Sequence, residues 1–429
     1  MKRTIYAKLI EWKTRENKKP LVIKGARQIG KTWIVKEFGK NEYKEFVYVN
    51  CDSNERVREL FEHDFNINRI IRGLSALSGK SIQKRQTLIF FDEVQEIPRI
   101  VQSLKYFYEN EPEYHVIVAG SLLGIHEHSN ISFPVGKIET LNMYPLSFQE
   151  FILSVAGKEM YKLLSFADMT ELDGLHSTFV EYLRQYYFTG GMPEVVQSFI
   201  DGKMPKEIRK LQKQILSDYA DDISKHAPSE DLVRIDQVLN SIPSQLAKEN
   251  RKFVYANIQK GARAREFEKA IQWLCNCGIV VKINRITKGT VPLKFYEDFS
   301  AFKLFFFDCG LLGAMMDAPI SQILIGNSIF EEYKGAFTEN YVLQQLIAHK
   351  EQPIYYFSAD DSKQELDFMY QDDIRIVPIE VKAEENLRAK SLRQFCKEHK
   401  GVKGVRISMS PFREQDWMIN IPLYAALRL

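Results

Sequence analysis

An eight-residue segment near the amino terminus has the composition of a phosphate-binding loop. It consists of Gly25, Ala26, Arg27, Gln28, Ile29, Gly30, Lys31 and Thr32. The apolar run at 21–23 precedes it as a predicted strand, and a helix predicted over 29–38 follows it and ends at Gly39. Glycines let backbone amides approach phosphate closely, and the amino end of the helix adds a positive potential. We therefore predict that Lys31 binds the β- and γ-phosphates of a nucleoside triphosphate and that Thr32 binds Mg²⁺.

A second segment ends in two acidic residues that suit the same chemistry. Residues 87–93 are an apolar run, typical of a parallel strand buried on both faces, that ends in Asp92 and Glu93. Acids at the carboxyl end of such a strand lie where open α/β sheets bind ligands. We predict that Asp92 holds Mg²⁺ through water and that Glu93 orients or deprotonates the attacking water. The alternative is a surface acid pair that caps the strand.

A third apolar strand, predicted over 115–120, is followed directly by Ser121. At this place Ser121 would sense the γ-phosphate beside Glu93. The local sequence is equally compatible with Ser121 as a cap for the next helix.

The composition of the chain limits the classes of protein to which it can belong. Its 429 residues suggest about three domains, and 45% hydrophobic residues suffice for real cores. No segment is apolar over the roughly 20 residues that a membrane helix needs, since the nearest, 301–316, contains Lys303 and Asp308. The start, Met1-Lys2-Arg3, leads into an amphipathic pattern and not into the apolar core of a signal peptide. A net charge of +3, from 59 basic and 56 acidic residues, neither requires nor excludes nucleic acid.

The five cysteines are scattered along the chain. Cys275 and Cys277 are two residues apart, which is neither the redox nor the zinc spacing. We therefore expect a reduced, cytoplasmic protein with no metal site built on sulfur.

The alternation of strand and helix patterns over residues 1–160 predicts an α/β domain with a doubly wound parallel sheet. The expected strands cover 20–25, 46–51, 87–92, 115–120 and 138–144. The expected helices cover 3–13, 29–38, 67–78 and 99–109. Three further parts are predicted, namely a helical lid over 161–228, a winged-helix-like domain over 229–315 and an α/β domain over 316–429.

Two patterns in the middle of the chain leave alternatives open. Gly190-Gly191-Met192-Pro193 breaks two helices, either within a lid over the nucleotide or in an ordinary connector. A short strand at 252–254, a helix over 264–276 and a strand over 279–286 match a winged helix. The basic residues at the start of its presumed recognition helix are Lys260, Arg263, Arg265 and Lys269. They predict DNA contact, although a solvated face or a packing module is at least as compatible with them.

Two alternating segments near the carboxyl terminus predict a β-hairpin with charged side chains on one face. Glu365 and Asp367 alternate with apolar residues in the first segment, and Glu380 and Lys382 do so in the second. A two-residue turn at Asp372-Asp373 would set Glu365 opposite Glu380, with Asp367 as a diagonal neighbour. Clustered carboxylates repel one another unless a cation lies among them, and Mg²⁺ prefers such ligands.

One more acid extends this cluster. Glu339 falls within the apolar stripe of a helix predicted over 331–350, where an acid is unusual. The candidate second metal site consists of Glu339, Asp367, Glu380 and Lys382. Its Mg²⁺ would lower the pKa of a bound water, which Lys382 could orient. The alternatives are an inactive relic and a structural cluster, such as an ion pair of Glu339 with Lys382, and Pro378 argues for an edge strand.

The ordered set of motifs resembles that of a known family. It comprises the loop at 25–32, Phe91-Asp92-Glu93, Ala119-Gly120-Ser121, Tyr144-Pro145-Leu146-Ser147-Phe148 with Glu150-Phe151, Gly190-Gly191-Met192-Pro193 and Glu380-Val381-Lys382. Over nearly its whole length the chain resembles prokaryotic AAA+ ATPases whose carboxyl-terminal domain of unknown function has a restriction-endonuclease-like, PD-(D/E)xK fold.

The resemblance implies an ATPase core that uses ATP and Mg²⁺, a winged-helix domain and a nuclease-like module over 316–429. It implies Walker and sensor roles for Lys31, Thr32, Asp92, Glu93 and Ser121. It implies nuclease-motif positions for Glu339, Asp367, Glu380 and Lys382. Many relatives carry Gly-Arg where this chain has Gly136-Lys137, and lysine lacks the planar fork of arginine. The sequence therefore identifies no arginine finger.

Three hypotheses of function follow. The first is an ATP-hydrolysing AAA+ protein that acts on DNA. The second is a regulatory switch, in which ATP governs binding to a protein partner and the carboxyl-terminal domain is catalytically inactive. The third is a metal-dependent nuclease gated by ATP. The sequence is compatible with a homo-oligomer in each case.

Overall fold

The computed structural model describes residues 1–120, 134–248, 252–325, 331–360, 364–383 and 389–429. They form two compact units, one of residues 1–144 with 276–278 and one of residues 145–275 with 279–429. The first unit thus ends 16 residues before the boundary predicted at 160. No helix among these residues is long and apolar enough to cross a membrane.

The first unit contains a five-stranded parallel sheet. Its strands are β1 Leu21–Lys24, β2 Glu45–Asn50, β3 Thr87–Asp92, β4 His115–Ala119 and β5 Glu139–Asn142, in the order β2-β3-β4-β1-β5. Its described helices are α1 Ile5–Thr14, α2 Lys31–Glu42, α3 Glu55–Glu62, α4 Ile67–Ser78 and α5 Pro98–Asn110. All neighbouring strands run parallel, and every residue of β3 is buried. The predicted α/β fold with a parallel sheet is confirmed.

The prediction that α2 ends at Gly39 was wrong, because the helix continues to Glu42. The glycine has a packing reason instead, since a Cβ on Gly39 would lie 2.2 Å from Cδ2 of Phe46. Helix α3 was not predicted at all. Asn54 marks its start, because its side chain accepts a hydrogen bond from the backbone N–H of Val57.

The second unit combines helices with a mixed eight-stranded sheet of order β12-β13-β11-β10-β9-β8-β6-β7. The strands are β6 Val280–Ile286, β7 Glu297–Phe306, β8 Ile354–Ser358, β9 Glu365–Asp372, β10 Arg375–Lys382, β11 Gly404–Ser408, β12 Arg413–Glu414 and β13 Met418–Pro422. The described helices are α6 Phe148–Val155, α7 Lys158–Phe166, α8 His176–Thr189, α9 Pro193–Ile200, α10 Pro205–His226, α11 Leu232–Leu246, α12 Ala264–Asn276, α13 Cys309–Met315, α14 Ile320–Ile325, α15 Glu331–His349 and α16 Lys390–Glu398.

The β-hairpin assigned to a winged-helix-like domain belongs to this large sheet. Strands β6 and β7 are antiparallel, and β6 also pairs in parallel with β8, with Arg285 beside Tyr356. The boundary predicted between 315 and 316 therefore runs through one continuous sheet. Helix α12 lies where it was predicted. Residues 252–254 were predicted as a strand but do not form one. The N–H of Phe253 nevertheless donates to the carbonyl of Phe302 at 2.9 Å.

The glycine pair at 190–191 makes room for the buried carboxylate of Asp308, which precedes α13. A Cβ on Gly190 would lie 2.1 Å from Oδ1 of Asp308, and the N–H of Gly191 donates to Oδ2 at 2.6 Å. Leu311 N–H and Gln344 Nε2 also donate to this carboxylate, at 2.9 and 3.3 Å. The motif that breaks the helices thus has a packing reason within the second unit.

Burial raises the pKa of Asp308 to about 6. Because the folded protein holds this proton more tightly than the unfolded chain, the resulting stabilisation is present at low pH and lost as the pH rises through about 6. We expect the difference in unfolding free energy between wild type and Asp308→Asn to be about 1 kcal/mol larger at pH 5 than at pH 7. Urea unfolding at both pH values measures it. The exposed Asp221→Asn is the control, and a difference that does not vary with pH would contradict the prediction.

Candidate nucleotide site and carboxylate cluster

The predicted phosphate loop joins β1 directly to α2. Gly30 adopts the left-handed φ of 93° immediately before the helix, a conformation that favours glycine. Gly25 has φ 155°, and a Cβ there would lie 2.3 Å from the carbonyl oxygen of Met143. Both glycines are therefore required by the backbone path of the loop. Arg3, which was not predicted, also supports the loop, because its Nη1 donates to the carbonyl of Ile29 at 2.9 Å.

Lys31, the first residue of α2, lies buried under the loop. Its Nζ donates to the carbonyl oxygens of Gly25 at 2.9 Å and Ala26 at 2.7 Å. Burial lowers its pKa to about 8, against the opposing effect of the carboxylates of Glu93 and Asp92. The ammonium group thus lies within the electrostatic reach of both acids. An anion at the loop could replace the two carbonyl oxygens as its partner.

Thr32 and Asp92 meet although 60 residues separate them. The hydroxyl of Thr32 donates to Oδ2 of Asp92 at 2.7 Å, and the hydroxyl of Tyr48 donates to the same oxygen at 3.3 Å. Burial raises the pKa of Asp92, while the Thr32 hydrogen bond lowers it. A hydroxyl and a carboxylate are hard oxygen ligands of the kind Mg²⁺ takes, so this pair fits the ion. Tyr48 was missed because nothing local distinguishes it from other strand aromatics.

Glu93 follows Asp92 with a left-handed φ of 52°, which is uncommon outside glycine. Its Oε2 accepts a hydrogen bond from Nε2 of Gln95 at 2.6 Å, and its N–H donates to Oδ1 of Asp92 at 3.2 Å. Gln95 was not predicted, although it lies only two residues from Glu93. The predicted sensor Ser121 lies outside the described residues.

The carboxyl-terminal hairpin forms, but its predicted register was wrong. The turn is at Asp373-Ile374, because Arg375 pairs with Asp372 and Ile379 with Phe368. Asp373 adopts a left-handed φ of 52°, which aspartate tolerates better than most residues. Moving the turn by one residue shifts the pairing by two. The predicted faces are therefore kept, while the predicted pairs change.

Asp367, and not Glu365, comes next to Glu380 along the ladder. The N–H of Val381 donates to Oδ2 of Asp367 at 2.7 Å. Burial raises the pKa of Glu380, and the Asp367 carboxylate raises it further. Glu365 instead binds the buried Lys303, with Oε1 at 2.6 Å from Nζ.

Lys382 pairs with Glu380, since its Nζ lies 2.8 Å from Oε1. The ion pair suggested between Lys382 and Glu339 stays a prediction. Glu339 is buried on α15, and α15 packs against β10. Within the described part of the chain, no three His, Cys, Asp or Glu side chains are close enough to hold a metal ion together. The second metal site stays a prediction.

The sequence did not predict two features at strand β10, namely its neighbour Arg406 on β11 and the position of Pro378 within the sheet. Arg406 on β11 is buried and stands in register with Glu380, and its Nε donates to Oδ1 of Asn420 at 2.7 Å. Pro378 lies in a strand between two others, against the expectation of an edge. However, pairing with β11 begins only at Ile379, so the missing N–H of Pro378 leaves no gap in that ladder.

The four basic residues near the start of α12 are all exposed. They are Lys260, Arg263, Arg265 and Lys269. Beside them lies an open cavity of about 410 Å³ whose lining includes Lys260 and Arg234 together with Glu230 and Glu266. The surface is therefore accessible to an anionic partner, although its charge is mixed.

Comparisons with protein families match three parts of the chain. Residues 17–152 match the model of an AAA domain. Residues 180–322 and 334–424 match two domains of unknown function, DUF8612 and DUF4143. No curated protein matches the sequence.

Two solved structures illustrate the level of structural similarity. A Walker-type ATPase of Pyrococcus abyssi shares 14% identity at a TM-score of 0.48, covering 73% of this chain and 95% of that one. The Orc1 protein of Aeropyrum pernix in complex with DNA shares 13% at a TM-score of 0.27, covering 75% and 92%. Both scores lie below 0.5. The family match, the parallel sheet and the loop geometry agree that residues 17–152 of this chain contain an AAA domain of the P-loop ATPase type.

Proposed function

We propose that this protein binds ATP and Mg²⁺ at the loop over 25–32, hydrolyses the ATP, and uses the nucleotide state to govern an action of the second unit on DNA. The observation that carries the ATPase part is the contact of Thr32 with Asp92 at 2.7 Å. Lys31 lies in the electrostatic field of Asp92 and Glu93. A cation, a metal-ligand pair and an adjacent acid in one place are the groups that phosphoryl transfer needs.

Each residue has a role in this proposal. Lys31 would exchange the loop carbonyls for the β- and γ-phosphates. Thr32 and Asp92 would hold Mg²⁺, which neutralises negative charge on the phosphates when bound. Glu93 would orient the attacking water and accept its proton. Ser121 would sense the γ-phosphate.

The DNA part of the proposal rests on the exposed basic start of α12 and on the carboxylate pair of β9 and β10. A winged-helix role for α12 would place Arg263, Arg265 and Lys269 against phosphates or base edges. A nuclease-like role for the sheet would use Asp367 and Glu380, in the order that such motifs require. These roles are supported by the resemblance of the motifs.

We expect DNA to stimulate ATP hydrolysis. We also expect the combined substitution of Arg263, Arg265 and Lys269 by alanine to lower the affinity for DNA by about tenfold at moderate salt, because phosphate contacts are lost. Basal ATP hydrolysis should not change. Fluorescence anisotropy with labelled DNA and a coupled ATPase assay measure both quantities. The matched control replaces Lys203, Lys206 and Lys210, which are exposed in the same unit, by alanine. If no DNA form changes turnover or binds, the DNA part of the proposal is excluded.

A second candidate function is the regulatory switch with a catalytically inactive second unit. The observation that favours it is the Lys382–Glu380 ion pair at 2.8 Å, which occupies groups that a nuclease would need. This function predicts slow hydrolysis, retained nucleotide and no DNA cleavage with Mg²⁺ or Mn²⁺. Cleavage that Asp367→Ala and Glu380→Ala abolish, while ATP hydrolysis survives, would instead identify a nuclease gated by ATP.

A further inference from the structure

Among the described residues, only Gln95 donates a side-chain hydrogen bond to the Glu93 carboxylate. Its Nε2 donates to Oε2 of Glu93 at 2.6 Å. Gln95 lies in the short 3-10 turn Val94–Glu96 that follows β3, and the residue is 6% exposed. This contact therefore lies in a largely buried part of the first unit.

The orientation of the Gln95 amide follows from its partner. An ionised carboxylate only accepts hydrogen bonds, so the nitrogen must face Glu93. The amide oxygen, Oε1, is buried and accepts no hydrogen bond from the described residues. Leaving a buried acceptor unsatisfied costs free energy. The bond to Glu93 is thus the polar contact that orients this side chain.

Glu93 itself has little local support for one orientation. Its left-handed φ is unfavourable for a residue with a side chain, and such backbone strain is concentrated at functional sites. Asp92 anchors its N–H at 3.2 Å, and Asp92 is in turn anchored by Thr32. Gln95 completes this series of contacts by fixing the carboxylate itself. Hydrogen bonds thus connect Thr32 to Asp92, Asp92 to the backbone of Glu93, and the Glu93 carboxylate to Gln95.

We propose that Gln95 is a positioning residue for hydrolysis, whose amide N–H holds the Glu93 carboxylate in the orientation that directs the attacking water. This inference rests on the proposed ATPase function. Gln95 contacts no phosphate in the proposal and acts only through Glu93. Its loss should therefore slow turnover while nucleotide binding persists.

The experiment compares wild type with Gln95→Met and Gln95→Glu in the full chain of 429 residues. Methionine keeps the length of the side chain without a donor, and glutamate places a second carboxylate against Glu93. We expect kcat to fall by about tenfold or more in both variants, with the KM for Mg·ATP within about twofold of wild type. Gln102→Met, on α5 of the same unit, is the matched control and should retain wild-type turnover. Binding of Mg·ATP by both variants reports that the site is folded.

A double-substitution test separates positioning from a structural role. If Gln95 acts through Glu93, adding Gln95→Met to Glu93→Ala should cause no further loss of kcat. A further loss in that background, unchanged kcat in the single variants, or a rise in kcat would each overturn the inference. If the wild type hydrolyses ATP and the Gln95 variants do so at the same rate, the role of Gln95 is rejected and the ATPase proposal stands. A wild type that binds but never hydrolyses ATP rejects both the inference and the ATPase proposal.

Discussion

Lys31→Ala is expected to abolish ATP hydrolysis and to weaken Mg·ATP binding by about a hundredfold or more, since it removes the charge-assisted contact to the phosphates. The reason is specific to this site. The ammonium group is already buried beneath the loop, with Nζ 2.7 Å from the carbonyl of Ala26. A lysine held in this way contributes its charge without first losing its solvation shell. Equilibrium binding of a fluorescent ATP analogue and a phosphate-release assay measure the two effects.

The control for this prediction is Lys40→Ala on the same helix. Lys40 is exposed and lies two turns beyond the loop, so its removal should leave both quantities at wild-type values. Circular dichroism should show equal helix content in both variants. Wild-type hydrolysis by Lys31→Ala would exclude the loop as the catalytic site.

Glu93→Gln is expected to lower kcat by about a hundredfold to ten-thousandfold while leaving Mg·ATP affinity within about threefold of wild type, because an amide cannot accept the proton of the attacking water. The substitution keeps the size of the side chain and removes only its charge. Single-turnover hydrolysis with excess protein isolates the chemical step. ATP should remain bound and intact for longer than in the wild type.

Glu96→Gln provides the comparison, because Glu96 ends the same 3-10 turn and carries the same functional group. It should hydrolyse ATP at the wild-type rate. Equal loss in both variants would indicate that the turn as a whole, and not the Glu93 carboxylate, is needed.

The sequence predicted best where the evidence was local. The strand, the loop at 25–32 and the helix after it form from adjacent residues, and the structure contains all three. The buried run of β3 was recognisable because a strand covered on both faces has no polar alternation. By contrast, the role of Gly39 was misread, because the side chain that requires it, Phe46, belongs to the next strand.

The carboxyl-terminal cluster shows why the remainder escaped prediction. Alternation identified the charged face of the hairpin, but it gives no information on which residue forms the turn. Asp373 and not Asp372 takes the left-handed conformation, so Glu365 moves away to Lys303 and Asp367 replaces it beside Glu380. The partner on β11, Arg406, comes from a strand that no local pattern links to Glu380.

By itself, the sequence determined that this chain carries a phosphate loop and an acid-ended strand, because period, glycine placement and residue type are properties of short segments. Only the tertiary structure decided which contacts the side chains of the site make. It brings Thr32 to Asp92 across 60 residues and sets Gln95 on Glu93 through one tight turn. Such contacts depend on strand order and on single backbone dihedral angles, which the pattern of a short segment does not specify.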